Sequence, residues 1–235
     1  MTGKVEIRIE SLLDGANRAA GAVAVIDVLR AFTTAAVVLA NGANRIVMVA
    51  DVDEALHLRA AGVGQICMGE VKGRAPDAFD FGNSPFELSR ADLSGKTIIQ
   101  RTSAGTQGIV ATNGAACRYA AALVTARATV RAMLATRQSR ITLLAMGLDG
   151  GSRTDEDELC ALHLRNLLQG RSGDPEAVRR LIRASGEATK YRHLSGRHLH
   201  PEDLDIALDV DRYDFAIRVD FDDGRPVASR DIAPS

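Results

Sequence analysis

Two strand-to-helix junctions decide the fold: Val23-Ala24-Val25-Ile26-Asp27-Val28-Leu29-Arg30-Ala31-Phe32-Thr33-Thr34 and Thr97-Ile98-Ile99-Gln100-Arg101-Thr102-Ser103-Ala104-Gly105-Thr106. Each begins as a β-branched apolar run, reaches an arginine and hydroxyl residues, and enters an apolar helical stretch that ends in Asn-Gly-Ala. The segments, about 22–50 and 97–122, therefore read as an internal repeat. Unpaired N–H groups at a helix start favour phosphate, sulfonate or carboxylate. The pair predicts a crevice for a small, multiply charged anion; the alternative is two ordinary helix caps.

Composition narrows the class of protein. The chain has 235 residues, 46% of them hydrophobic and 25% charged, which is typical of a globular protein. A formal net charge of −1 gives no electrostatic reason to expect nucleic acid or a membrane surface as a partner. Apolar stretches are too short for a membrane span, and the N-terminus lacks the apolar core of a signal peptide. The three cysteines show neither pairing nor metal spacing, so we expect a cytoplasmic protein.

The order of the predicted elements indicates an α/β fold. Strands alternate with helices, which predicts a largely parallel, helix-covered sheet built from two similar βαβ-type halves. The stretch Phe215–Val219, a turn and Pro226–Ser229 predict a C-terminal β-hairpin. A single helix is expected over Pro175–Ala188. No low-complexity linker interrupts the chain, so residues 1–235 are expected to form one domain.

Asp27 is the first candidate for a chemical role. It ends an apolar strand, and ligands of open α/β sheets sit beyond the carboxyl ends of strands. A buried aspartate needs a cation or hydrogen-bond donors. Two interpretations stay open: Asp27 and Arg30 form a structural ion pair, or Asp27 holds a divalent metal while Arg30 points at the substrate.

Two further segments carry candidate residues. The stretch from Gly69 to Pro85 predicts a long loop, and loops of this length inside a domain are usually functional or disordered. Its phenylalanines, Phe79 and Phe81, favour a loop that packs over a ligand. The acids 155–158 follow a glycine-rich turn. They are either dipole-favoured capping residues or ligands for a hard cation such as Mg²⁺.

Other familiar motifs are missing from the sequence. It contains neither the phosphate-binding glycine loops of nucleotide-binding proteins nor a GxSxG elbow. The spacing of His193, His198 and His200 matches no familiar zinc pattern, so we expect surface or supporting roles for these histidines.

The combined motifs resemble the 2-phosphosulfolactate phosphatase family. The resemblance rests on segments in the family's order across residues 20–165: Val25-Ile26-Asp27-Val28-Leu29-Arg30-Ala31, Ala40-Asn41-Gly42-Ala43, Gly69-Glu70, Phe79-Asp80-Phe81-Gly82-Asn83-Ser84-Pro85, Arg101-Thr102-Ser103-Ala104-Gly105-Thr106 and Glu156-Asp157-Glu158-Leu159-Cys160-Ala161. It implies a Mg²⁺-dependent hydrolase that removes phosphate from (R)-2-phospho-3-sulfolactate. One departure is Ala104, where the family often has asparagine.

These observations give one set of expected roles. We expect catalytic residues at Asp27, Arg30, Glu70 and Arg101, substrate contacts from Thr34, Asn83, Ser84, Ser103, Gly105 and Thr106, and Mg²⁺ ligands among Asp27, Glu70, Asp157 and Glu158. The expected partner is a small phosphorylated acid, and an Ala-rich chain of this size is compatible with a homodimer. The alternative function is a non-catalytic binder of a small organic anion.

Overall fold

The structure, a computed structural model, describes residues 5–193 and 199–232. The strands of its sheet are β1 (Glu6–Ser11), β2 (Gly21–Ile26), β3 (Arg45–Val49), β4 (Ile66–Gly69), β5 (Thr97–Arg101), β6 (Ala115–Ala121), β7 (Arg140–Ala145), β8 (Ala216–Asp222) and β9 (Arg225–Asp231). The helices are α1 (Leu12–Ala16), α2 (Ala31–Ala40), α3 (Val52–Ala60), α4 (Pro85–Leu88), α5 (Gly105–Ala111), α6 (Ala126–Ala135), α7 (Asp155–Leu168), α8 (Pro175–Arg183), α9 (Gly186–His193) and α10 (Pro201–Ala207).

The sheet consists of two parallel groups joined by an antiparallel hairpin. The strand order is β1-β7-β2-β6-β8-β9-β3-β5-β4. Pairing is parallel within β1-β7-β2-β6 and within β3-β5-β4, whereas β6/β8, β8/β9 and β9/β3 are antiparallel. The parallel, helix-covered sheet and the C-terminal hairpin are therefore confirmed. The position of this hairpin at the centre of the sheet could not be read from local patterns.

The sheet curls so that the ends of β2 and β5 meet. Three successive pairings, β6/β8, β8/β9 and β9/β3, are antiparallel. The strands of β3-β5-β4 therefore run in the direction opposite to those of β1-β7-β2-β6. A flat sheet would place the carboxyl ends of β2 and β5 on opposite edges. Twist of roughly 20–25° per strand accumulates to more than about 100° between them. The Gln100 side chain on β5 consequently donates to the Ala31 carbonyl oxygen after β2, at 3.0 Å.

Helix α2 lies inside the curl and explains why β2 is apolar at every position. Val23 and Val25 pack with Phe32 of α2 in one cluster, whereas Ala24 and Ile26 face a second cluster on the other side of the sheet. A strand covered on both faces reads as a continuous apolar run. Residues 31–39 of α2 are all buried, which is expected for a helix enclosed by the sheet.

One local expectation needs correction, and one finding concerns membranes. The prediction of a single helix over Pro175–Ala188 is wrong. The helix is interrupted at Ala184 and Ser185, so the stretch forms two helices, α8 and α9. The short helix α1 had no strong sequence signal. Within the described parts of the chain, none of the helices combines the length and apolar character needed to cross a membrane. The internal repeat and the single domain stay predictions.

Candidate active site

Asp27 lies where the two junctions meet. It follows β2 and is buried, and its Oδ1 accepts a hydrogen bond from the Ala31 backbone N–H at 2.9 Å. The backbone N–H of Gly105, at the start of α5, lies near the carboxylate and lowers the pKa of Asp27. A methyl group at Gly105 would lie 2.9 Å from Asp27 Oδ2, so the absence of a side chain permits this close approach. The predicted convergence of the junctions is therefore present in the structure.

The loop after β4 brings Glu70 to the second junction. Glu70 Oε1 accepts from the Ser103 backbone N–H at 2.6 Å, and Oε2 accepts from the Gly73 N–H at 2.5 Å. The Ser103 hydroxyl contacts the same carboxylate at 3.2 Å and accepts from the Lys72 N–H at 2.8 Å. These bonds close the start of the loop over β5 and fix the Glu70 carboxylate.

A cavity of about 380 Å³ opens at this meeting point. Of the predicted site residues, Asp27, Arg30, Glu70, Asn83 and Ser103 line it. The charged side chains that line it among the described residues are five acids and three bases: Asp27, Glu70, Asp149, Glu156 and Glu187, with Arg30, Lys72 and Lys190. Acids outnumber bases, so the cavity suits a cation together with an anionic ligand.

Glu156, at the start of α7, lines the cavity, although it was not among the expected Mg²⁺ ligands. The residue is only 3% exposed, and its Oε2 has no hydrogen-bond partner among the described residues. Burial, with further contributions from Glu187 and Asp27, raises its pKa to about 7. The Oδ1 atom of Asn83 is a second buried cavity oxygen for which the described part of the chain offers no partner. Unpartnered buried oxygens are uncommon and are natural contacts for a ligand or ion.

The two predicted metal ligands that neighbour Glu156 do not line the cavity. Asp157 is buried, and its two oxygens accept from the backbone N–H groups of Val28 and Gly147, each at 2.8 Å. It therefore ties the ends of β2 and β7 together. Glu158 points elsewhere, since its Oε1 accepts from the Ser11 hydroxyl at 2.6 Å. Of the four acids 155–158, one lines the cavity, two support the framework, and Asp155 is exposed.

The two arginines of the junctions have different environments. Arg30 lines the cavity, and its Nη1 donates to Asp203 at 2.8 Å in a buried ion pair. Arg101 does not line the cavity. Its Nε donates to the Ala50 carbonyl oxygen at 3.1 Å, and its Nη1 donates to the Glu70 carbonyl oxygen at 2.8 Å. Arg101 thus holds the backbone of Glu70 rather than facing the ligand space.

Four residues that were predicted to contact substrate instead contact other protein groups around the cavity. The Thr34 hydroxyl donates to the Asn83 carbonyl oxygen at 3.1 Å, and the Ser84 hydroxyl donates to Asp203 at 2.6 Å. The Thr106 hydroxyl donates to the carbonyl oxygen of the preceding turn at 3.0 Å. Gly105 packs directly on Asp27. None of these four lines the cavity among the described residues, so their predicted contacts with substrate stay untested.

The electrostatics show an excess of negative charge. Burial and the nearby Glu70 raise the pKa of Asp27 to about 6, although backbone donors and Arg30 oppose the shift. Burial and Asp27 also raise the pKa of Asp157 well above its usual range. Within residues 5–193 and 199–232, no three His, Cys, Asp or Glu side chains are grouped closely enough to hold a metal alone.

Of the three histidines noted in the sequence, only His200 has a described side chain. His200 contacts Glu87 through Nε2 at 2.8 Å and lies against the Phe86 ring, which is the supporting role expected for it. His198 lies outside the described residues, and the side chain of His193 is not described.

Fold and cavity together define an α/β protein with a charged pocket that is lined by both acidic and basic side chains. The chain belongs to the 2-phosphosulpholactate phosphatase family, whose family model matches residues 8–220. It is 28% identical over 212 residues to a probable 2-phosphosulfolactate phosphatase of Bacillus subtilis, which covers 88% of this chain and 91% of that protein. A protein of the same name from Thermoplasma volcanium is 30% identical over 190 residues, covering 81% of this chain and 85% of the relative.

A third relative marks a well-matched segment. The probable 2-phosphosulfolactate phosphatase of Thermotoga petrophila is 48% identical over 85 residues. This match covers 36% of the present chain and about 37% of the length of that relative. The family expected from the motifs is therefore confirmed.

Proposed function

We propose that this chain hydrolyses a small phosphate monoester that carries further acidic groups, with (R)-2-phospho-3-sulfolactate as its substrate. The observation that carries the proposal is one cavity in which Asp27, Glu70 and Glu156 face Arg30 and Lys72 in a member of this family. The family description names the substrate, and the cavity has the charge pattern that such a substrate requires.

Mg²⁺ is the proposed cofactor, and the donor set fits this ion. Mg²⁺ usually takes one or two protein carboxylates and completes its octahedron with water and substrate phosphate oxygens. Asp27 and Glu70 would hold it, because both carboxylates line the cavity. The raised pKa of Asp27 supports the assignment, because a nearby cation would relieve the repulsion between these carboxylates. When bound, the ion supplies polarisation of the phosphoryl group.

The remaining cavity residues would orient the substrate. The Arg30 guanidinium can bind a phosphate or sulfonate through two parallel N–H donors. Lys72 and Lys190 are exposed and line the cavity, so they are placed to neutralise a second acidic group. The Lys190 ammonium already contacts Glu187 at 2.6 Å, whereas the Lys72 ammonium has no partner among the described residues. Lys72 is therefore the stronger candidate for this contact.

Glu156 is proposed to accept the proton of the attacking water. Within residues 5–193 and 199–232 its Oε2 has no hydrogen bond, and its pKa of about 7 places the proton-accepting form near neutral pH. An acid–base group works best when its pKa lies close to the pH of the reaction. Positioning and charge stabilisation supply most of the catalysis in phosphoryl transfer, so a site without a dedicated nucleophile is chemically sufficient.

Phosphate release from a matched panel tests the proposal. The panel contains 2-phospho-3-sulfolactate, 2-phospholactate, which lacks the sulfonate, and 3-phosphoglycerate, each with Mg²⁺ or with EDTA. We expect Mg²⁺-dependent release that is fastest for the sulfonated ester. Thermal stabilisation by these esters with no phosphate release would instead support a non-catalytic binder of organic anions. Equal phosphate release in EDTA and in Mg²⁺ would reject Mg²⁺ as the cofactor but not the proposed hydrolysis.

Location and assembly stay predictions from the sequence. We propose a cytoplasmic enzyme that acts on a small molecule without nucleic acid, and a homodimer as its assembly. Light scattering after size-exclusion chromatography checks the assembly directly, since the chain mass is 25.0 kDa. A mass of one chain at micromolar concentration would contradict the dimer.

A further inference from the structure

Asp203 is a fully buried acid that the sequence analysis did not single out. It lies in the first turn of α10, where acids are common because they favour the helix dipole. Ordinary first-turn acids are exposed, however, and a buried carboxylate is costly unless several donors surround it. The donors around Asp203 connect it to the cavity.

Four hydrogen bonds converge on the Asp203 carboxylate. Its Oδ1 accepts from the Ser84 hydroxyl at 2.6 Å and from the Phe86 backbone N–H at 3.1 Å. Its Oδ2 accepts from Arg30 Nη1 at 2.8 Å and from the His200 backbone N–H at 3.2 Å. The carboxylate therefore joins the first junction, the end of the long loop and the start of α10.

The ion pair with Arg30 has no obvious purpose in stability alone. Both side chains are buried, at 7% exposure for Arg30 and 0% for Asp203. Desolvation offsets most of the attraction in such a pair, and apolar residues of similar volume often replace one without loss. Arg30 also lines the cavity, so the orientation of its guanidinium decides how it meets an oxyanion.

We propose that Asp203 is a positioning residue that holds the Arg30 guanidinium in the orientation that binds the anionic substrate. The inference rests on the proposed function of the cavity. Asp203 touches no substrate in this scheme, and it acts through Oδ2 on Nη1 of Arg30. Its contacts with Ser84 and Phe86 fix the carboxylate itself, so the loop, α10 and the arginine are aligned together.

Asp203→Asn tests the inference, with Asp205→Asn as the matched control. Asp205 lies on the same helix, is exposed, and pairs with Arg183 at 2.7 Å outside the cavity. For Asp203→Asn we expect about a 10²-fold loss of kcat/KM, the scale of a misplaced binding group, and weaker binding of inorganic phosphate measured by calorimetry. The control keeps both quantities at wild-type values. Wild-type kcat/KM in folded Asp203→Asn would overturn the inference.

Chemical rescue separates positioning from a purely structural role. In Arg30→Ala, added guanidinium should restore phosphate release, because the Asp203 carboxylate can dock the free cation. In Arg30→Ala/Asp203→Asn the same addition should restore nothing. This double variant also removes both buried charges, so it remains testable if Asp203→Asn alone fails to fold. Equal rescue in both backgrounds would overturn the role of Asp203, whereas an inactive wild-type protein would reject the proposed function itself.

Discussion

Glu156→Gln is expected to stabilise the metal-free protein at pH 8 and to have little effect near pH 4.5. Glutamine keeps the shape of the side chain and removes a charge that burial disfavours. The pKa of Glu156 is raised from 4.5 to about 7, and a tenfold change in an acid dissociation constant corresponds to roughly 1.4 kcal/mol. Ionisation of Glu156 therefore costs the folded state roughly 3 kcal/mol above pH 7.

The sign follows from proton binding. Between pH 4.5 and 7 the folded protein keeps a proton on Glu156 that the unfolded chain has lost, so the free energy of unfolding falls as pH rises. The variant has no such group and does not show this loss. The difference between variant and wild type should consequently grow from near zero at pH 4.5 to roughly 3 kcal/mol at pH 8.

Urea denaturation in EDTA at the two pH values measures this difference. Asp155→Asn is the control, because Asp155 is exposed in the same helical turn. Its change should stay within about 0.5 kcal/mol at both pH values. A stability gain for Glu156→Gln that is equal at both pH values, or a loss at pH 8, would refute the reasoning. Activity of the variant should fall despite the gain in stability.

Two further substitutions test the cavity. Lys72→Gln should raise KM for the sulfonated ester by about tenfold without changing KM for 2-phospholactate. The control variant Lys96→Gln, which lies away from the cavity, should change neither KM. An equal rise in KM for both esters would contradict a contact between Lys72 and the second acidic group. Gly105→Ala places a methyl group 2.8 Å from the Ala31 Cβ, so melting should show a loss of about 1–3 kcal/mol, together with lower turnover. Gly186→Ala, where the added carbon meets open space, is its control, and wild-type stability in Gly105→Ala would contradict the close packing.

Local sequence patterns were sufficient to predict the strands and helices that meet at the site. The apolar run of β2 and the hydroxyl-rich start of α5 carry their own signals, and both junctions lie together in the structure. Asp27, Arg30, Glu70, Asn83 and Ser103 line one cavity, as their motifs suggested. Their chemical roles remain predictions.

The helical geometry of α7 explains why the sequence could not show which of its four acids faces the cavity. Consecutive helical residues lie about 100° apart, so four adjacent acids point in different directions. Asp155 faces solvent, Glu156 faces the cavity, Asp157 binds backbone N–H groups and Glu158 contacts Ser11. Which acid faces the ligand depends on how α7 packs, and that is not encoded in the acidic run itself.

Long-range packing was also beyond local patterns. Arg101 resembles Arg30 in sequence context, but it turns toward two backbone carbonyl oxygens instead of the cavity. The contact between Asp203 and Arg30 spans 173 positions along the chain. It joins the segment after β2 to helix α10, and no single motif records this packing.

Phosphate release by Asp27→Asn tests the central claim most directly. The substrate is 2-phospho-3-sulfolactate with Mg²⁺, and Asp51→Asn is the control, because Asp51 caps α3 at another strand-to-helix junction on the surface. We expect Asp27→Asn to stay folded and to lose at least about 10²-fold in turnover, while Asp51→Asn retains it. Undiminished turnover in folded Asp27→Asn would place the chemistry outside this cavity.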